Sequence, residues 1–180
     1  EYTNEPGQYG QLVSQRRESA TSTYHFDGQL STRRLTDESE AVSERATYTA
    51  FGEEVDADGT TVNPFGYRGA LGYYTNTDAT GLYVRERSLS PSLGRWLSFD
   101  PVVPSANPYA YVGNRPILLS DPCGLAALVG LAEDGTPIYQ IESSDTPVPF
   151  RADQVGKCWS PNPIPAGQCS GGKIVPCPDD

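Results

Sequence analysis

Two aspartates each stand directly before a proline, Asp100-Pro101 and Asp121-Pro122, 21 residues apart. Hydrolysis of a peptide bond by paired carboxylates needs one ionised acid to activate water and one protonated acid to donate to the carbonyl. Close approach of two like charges supplies that difference, because it separates their affinities for protons. A following proline disfavours helical geometry, which pushes the Asp100 carboxylate into an extended segment or a turn. The stretch between the two acids is long enough to fold back and bring them together. Arg95 is placed to orient or balance one carboxylate through a two-pronged contact. Asp-Pro pairs are also ordinary turn residues, so a purely structural reading of the same positions stays open.

The other reactive groups form no second constellation. Cys123, Cys158, Cys169 and Cys177 are the only cysteines, and the last three lie among Pro, Gly and Ser with spacings of eleven and eight. That pattern fits one disulfide plus a spare thiol better than a paired zinc knuckle, and it favours oxidising surroundings. His25, the sole histidine, is distant in sequence from the tail cysteines, which removes the usual Cys/His nucleophile pairing. No cofactor and no metal are expected.

The elements that must position these residues are strands and turns. Gly 18 and Pro 16 interrupt the chain too often for long regular elements, and the 11 tyrosines suit half-buried strand surfaces. The formal charge is −10, and no basic cluster exceeds the pairs Arg16-Arg17 and Arg33-Arg34, which disfavours a nucleic-acid partner. No stretch reaches the roughly 18 apolar residues that span a bilayer, and the longest candidate, Ala126 to Ala132, is far shorter. Methionine is absent and the first residue is Glu1, as expected of a processed product or a fragment.

From Gly10 to about Thr61 a weak internal echo aligns Gly10–Arg17 with Gly28–Leu35, and Tyr24-His25-Phe26-Asp27-Gly28 with Tyr48-Thr49-Ala50-Phe51-Gly52. Each unit reads as strand, glycine-bearing turn, strand, with the best strands at Thr21–Phe26 and Glu44–Tyr48. Asp56-Ala57-Asp58-Gly59 reads as a turn. Alternation across Leu82–Arg87 puts Tyr83, Arg85 and Arg87 on one face of a strand, with Leu82, Val84 and Glu86 on the other. Asn107–Pro116 reads as an aromatic strand or a short turn of helix. After Ala126 the tyrosine-rich texture ends; Ile138–Ile141 suits one strand of a hairpin, and from Ser143 the chain reads as irregular.

The run from Asn63 to Leu125 resembles the RHS repeat-associated core domain of bacterial RHS and YD-repeat proteins. The matching residues are Asn63-Pro64-Phe65, Tyr67, Gly69, Thr80-Gly81-Leu82-Tyr83, Arg85, Arg87, Pro91, Gly94-Arg95-Trp96 and Asp100-Pro101. They continue through Asn107, Tyr109, Tyr111, Asn114 and Pro116 to Asp121-Pro122-x-Gly124-Leu125. Upstream, Tyr24-His25-Phe26-Asp27, Leu35-Thr36-Asp37 and Tyr48 with Ala50-Phe51-Gly52 look like the YD units that precede that core. The resemblance implies a mainly β fold: YD-repeat-like strand-turn-strand units over 1–62, a shell-closing core over 63–125, and a variable tail over 126–180. It implies that the partners are an upstream YD-repeat shell of the parent chain and the chain's own C-terminal segment, on a secreted or cell-surface bacterial protein. It also implies aspartate-dependent self-cleavage, with Asp100, Asp121 and Arg95 as the residues involved and Leu125-Ala126 as the scissile bond.

This chain departs from the family pattern where Val102-Val103-Pro104 follows Asp100-Pro101 in place of a longer glycine-rich loop, and where Leu30 occupies a position commonly held by glycine. A non-enzymatic structural or adhesion module is therefore the alternative to self-cleavage. For residues 126–180 a linker, a remnant or the start of something truncated is expected over an autonomous toxin, since the segment lacks histidine and has little to build a core.

Overall fold

A computed structural model describes residues 1–6, 11–75, 81–100, 107–125, 127–131, 137–140 and 150–151. They divide into two compact units, Glu1–Val84 with Ser90–Leu93, and Arg85–Leu89 with the described residues from Gly94 onward.

The first unit is built on an open antiparallel sheet whose strands lie side by side in chain order. They are β1 (Tyr2–Asn4), β2 (Leu12–Arg17), β3 (Ala20–Phe26), β4 (Thr32–Thr36), β5 (Val42–Tyr48) and β6 (Glu54–Gly59). In β3 the buried residues Ser22 and Tyr24 alternate with exposed Thr23 and His25, the period-two pattern of a strand packed on one side. Three successive connections repeat one turn. Leu30 N–H donates to Asp27 O and Asp27 N–H to Ser31 O; the same two bonds join Glu40 to Asp37 and Asp37 to Ala41, and Gly52 to Thr49 and Thr49 to Glu53. In each turn the fourth residue is left-handed: Leu30 at φ 64°, Glu40 at φ 64° and Gly52 at φ 95°. The aspartates also tie down the loop, Asp27 Oδ1 accepting from Gln29 and Ser31 N–H, and Asp37 Oδ1 from Ser39 and Ala41 N–H. The side-chain hydrogen bond from Ser39, aided by its backbone N–H, holds the Asp37 carboxyl below the usual carboxylate range.

Asp56–Gly59 is not a turn. These residues lie in β6 and pair with β5, Asp58 opposite Arg45 and Asp56 opposite Thr47. Asp-Gly is cheap at a turn, but a paired, fully exposed edge strand also accommodates it, and Gly59 at φ 130° lies against Ser43 and Glu44, with no room for a Cβ.

The sheet buries Leu12, Tyr24 and Leu35, with Phe26 and Phe65 packed against them. The chain beyond β6 is pinned to it: Thr32 N–H donates to Gly66 O at 2.8 Å, Gln15 Nε2 to Val62 O at 3.0 Å and Arg68 Nη1 to Gln29 O at 3.1 Å. Tyr24 Oη contacts Gln15 Oε1 at 3.1 Å, so this buried hydroxyl has a partner. Two short strands, β7 (Tyr74–Thr75) and β8 (Leu82–Val84), pair antiparallel with Tyr74 opposite Tyr83.

The expected strand through Arg87 breaks at Val84. Arg85 and Glu86 form a turn, with Arg85 at φ 48°, and a new strand, β9 (Arg87–Ser90), begins at Arg87. The turn cancels the alternation: Tyr83 is half exposed, whereas Arg87 is 3% exposed.

In the second unit Leu97 N–H donates to Ser88 O at 2.8 Å, which sets β10 (Arg95–Trp96) beside β9. Arg95 bridges Ala110, and Trp96 N–H reaches Tyr109 O at 2.9 Å. Leu89, Trp96, Tyr111 and Val112 are buried here. Asn107–Pro116 is a series of turns with a 3-10 turn at Val112–Asn114. Further on, β11 (Ala127–Leu131), β12 (Pro137–Gln140) and β13 (Phe150–Arg151) form a three-stranded antiparallel sheet; the strand expected at Ile138–Ile141 is β12, with Ile141 outside the described residues, and Phe150–Arg151, expected to be irregular, pairs with it.

Candidate active site

Three charged side chains meet in the interior of the second unit. Arg87 opens β9, Asp100 follows β10, and Asp121 begins the segment leading to Leu125. Arg87 Nη2 lies 3.1 Å from Asp100 Oδ2 and 3.6 Å from Asp121 Oδ2. All three are buried: Arg87 is 3% exposed, Asp100 6% and Asp121 0%. Neither Nη atom makes an aligned hydrogen bond among the described residues, so the two acids are joined through charge at short range instead of through directed bonds. Asp100 is held from its backbone, its N–H donating to Pro108 O at 3.2 Å.

Asp121 works through both oxygens. While Oδ2 faces Arg87, Oδ1 accepts Gly124 N–H at 2.8 Å and Leu125 N–H at 3.1 Å, wrapping the backbone around the carboxylate. Gly124 completes that wrap at φ 81°, the left-handed region glycine enters without steric cost. The start of β9 grips the same segment. Arg85 Nη1 donates to Pro122 O, Glu86 N–H to Cys123 O at 3.2 Å, and Arg87 Nε to Gly124 O. The peptide from Pro122 to Gly124 is thus held carbonyl by carbonyl, directly ahead of buried Leu125.

An aromatic wall closes one side. The Arg87 guanidinium carbon lies 4.3 Å from the centre of the Trp96 ring, and Tyr111 meets Trp96 edge-on at 5.3 Å and 83°. A cation against an indole face is attracted by the ring quadrupole, more strongly where water is excluded.

The structure therefore brings Asp100 and Asp121 to one guanidinium, with Asp121 also bonded to Leu125 N–H. Arg95 is elsewhere: its side chain is exposed on β10, and the guanidinium between the acids belongs to Arg87. Ala126 and the residues following Asp100, from Pro101 to Ala106, lie outside the described residues. Cys123 is disulfide-bonded, so its sulfur has no proton to give and its 3.8 Å contact with Asp121 Oδ1 is not a hydrogen bond; Cys158, Cys169 and Cys177 are outside the described residues. Among the described residues no cluster of His, Cys, Asp and Glu is arranged to hold a metal ion, and no helix is long and apolar enough to cross a membrane.

The sequence is 43% identical to toxin subunit YenC2 of Yersinia entomophaga over 81 residues, and 45% identical to toxin subunit YenC1 of the same organism over 65 residues. It is homologous to segments of these toxin subunits. The matches cover 39% and 34% of this chain but only 8% and 6% of the relatives, so the chain spans less than a tenth of either. No protein-family model matches the sequence. The fold is shared with solved structures. The crystal structure of TcdB2-TccC3 superposes with a TM-score of 0.57 at 21% identity, over 69% of this chain and 6% of that one. The Photorhabdus luminescens Tc holotoxin pore carrying the TccC3-D651A mutation superposes with a TM-score of 0.55 at 18% identity, over 83% of this chain and 7% of that one.

Proposed function

We propose that this chain is the carboxy-terminal part of a secreted RHS-type toxin-shell subunit, and that its closing segment cuts its own backbone between Leu125 and Ala126. The observation that carries this reading is the single Arg87 guanidinium within 3.6 Å of both buried aspartates, beside the backbone that Asp121 caps at Leu125. One cation balances one carboxylate, which suits a pair that works with the other acid holding a proton. In the proposed step the ionised aspartate takes a proton from water, whose oxygen attacks the Leu125 carbonyl carbon. The protonated aspartate donates to the carbonyl oxygen, and the tetrahedral species collapses as the Ala126 nitrogen leaves with a proton. Leu125 gains a carboxylate and Ala126 becomes a free amine. The clasp on residues 122–124 serves to hold the bond still against the acids, which removes the entropic cost of bringing the reacting groups together.

On this reading residues 1–62 are the last YD-type repeats, 63–125 the closing core and 126–180 the released segment. The three repeated turns at Asp27, Asp37 and Thr49 support repeat character, and the open sheet leaves β1 for a preceding repeat of the parent shell to extend. Relationship to toxin subunits supports a secreted protein that assembles with other toxin components.

One observation favours the alternative, a non-enzymatic structural or adhesion module. Asp121 Oδ1 already accepts two backbone N–H groups, the work of a turn-forming aspartate. Intact-mass analysis of the purified full chain separates the two: a pair of fragments meeting at Leu125/Ala126 supports cleavage, and Asp100→Asn should keep the chain whole. An uncut wild-type chain that is folded leaves the structural module.

A further inference from the structure

Arg87 can face two carboxylates at once only if its planar guanidinium is held at a set angle, and its bonds to the acids do not set it. Neither Nη atom makes an aligned hydrogen bond among the described residues, so the attraction to Asp100 and Asp121 leaves the plane free to rock. Two contacts restrict it. Nε donates to Gly124 O, which fixes one edge, and the Trp96 ring covers one face with its centre 4.3 Å from Cζ. Among the described residues the indole is the group stacked against the guanidinium face, where it opposes rotation about the Nε edge. Trp96 is itself held by packing: it is 0% exposed, its backbone N–H is tied to Tyr109 O at 2.9 Å, and Tyr111, also 0% exposed, buttresses the ring.

We propose, resting on the self-cleavage reading above, that Trp96 is a positioning residue which stacks on Arg87 and thereby aims one guanidinium nitrogen at both Asp100 and Asp121. Its apolar surface also shields the charge on that side, which keeps the interaction with the acids strong. Among the described residues, the charged groups in contact with this guanidinium are Asp100 after β10 and Asp121 ahead of β11; Tyr111 is the phenol behind the indole.

The test measures the rate of self-cleavage and its dependence on pH for the full chain carrying W96F, W96L or Y111L. Removing the stack loosens the positive charge near the acids, which favours their protonated forms, so the profile moves toward higher pH. W96L should slow cleavage about tenfold and move the profile, with W96F in between because a phenyl ring retains a smaller π face. Y111L, which removes the buttress behind the indole, should lower the thermal midpoint and move the profile in the same direction as W96L by less. If W96L does not fold, W96F decides: a slower rate with a displaced profile supports the proposal, and a wild-type rate and profile overturn it. Equal rates and profiles for W96F and W96L would also overturn it, since a ring face would then be irrelevant. Wild-type chain that is never cut, or D100N that is cut normally, overturns the underlying self-cleavage reading instead, so the two failures are separable.

Discussion

The carboxylate of Asp121 accepts the backbone N–H of Leu125 at 3.1 Å, four residues downstream and one residue before the proposed point of cleavage. The same side chain points its other oxygen at Arg87. One aspartate thus shapes the peptide and contributes to the acid pair beside it, and the two roles can be pulled apart.

Asp121→Asn keeps an oxygen that can accept Gly124 and Leu125 N–H while losing the charge. It should abolish self-cleavage with a smaller loss of stability than Asp121→Ala, which strands two buried donors at about 1–3 kcal/mol. Denaturant titration of both variants, with gel analysis of cleavage, checks the pair. Equal destabilisation would show that the backbone cap contributes nothing.

Arg87→Met removes the guanidinium that lies within 3.6 Å of both buried aspartates. Removing one partner of a buried ion pair costs about 3–5 kcal/mol, so this variant should be strongly destabilised and uncut. Arg95→Met, on an exposed side chain, should stay within about 0.5 kcal/mol of wild type and cleave normally. Urea midpoints and fragment yields for the two arginines give the comparison, and parity between them would contradict the assignment to Arg87.

The repeated turns make a prediction of opposite sign at equivalent positions. Gly52 sits at φ 95° with its would-be Cβ 2.6 Å from the Tyr67 ring, so Gly52→Ala should destabilise by more than about 1 kcal/mol. Glu40, exposed and held at φ 64°, should gain about 0.5 kcal/mol on replacement by glycine, the relief of left-handed strain outweighing the added freedom of the unfolded chain. Thermal midpoints of G52A and E40G moving in the same direction would contradict the shared turn.

Burial, with the charge of Glu54 adding to it, raises the Glu44 carboxyl above its ordinary value of 4.5. A raised folded value means that the folded chain binds this proton more tightly than the unfolded chain. The resulting stabilisation is complete below about pH 4.5 and is lost as pH rises through the folded value. At neutral pH the half-buried charge is a net cost. Glu44→Gln should therefore be more stable than wild type at pH 7, with the advantage vanishing by pH 4; denaturation curves at the two pH values measure it.

Much of the sheet was legible because alternation and turn chemistry act locally: Thr21–Phe26 and Glu44–Tyr48 lie within β3 and β5. The Asp-Pro pairs drew attention to Asp100 and Asp121 for the same reason. Arg87 was missed because its burial depends on the turn at Arg85, a left-handed arginine that no local preference announces. Without that turn, simple alternation assigns Arg87 to the half-exposed face of Tyr83. Asp56–Gly59 misled in the other direction, because an exposed edge strand tolerates residues that favour turns.

The most direct measurement is the intact mass and amino-terminal sequence of the purified full chain and of its D100N variant, after each is shown to be folded. The proposal predicts two wild-type fragments, the second beginning at Ala126, and a single uncut D100N chain. A folded wild-type chain with the Leu125–Ala126 bond intact, or a D100N chain cut at that bond, would contradict it.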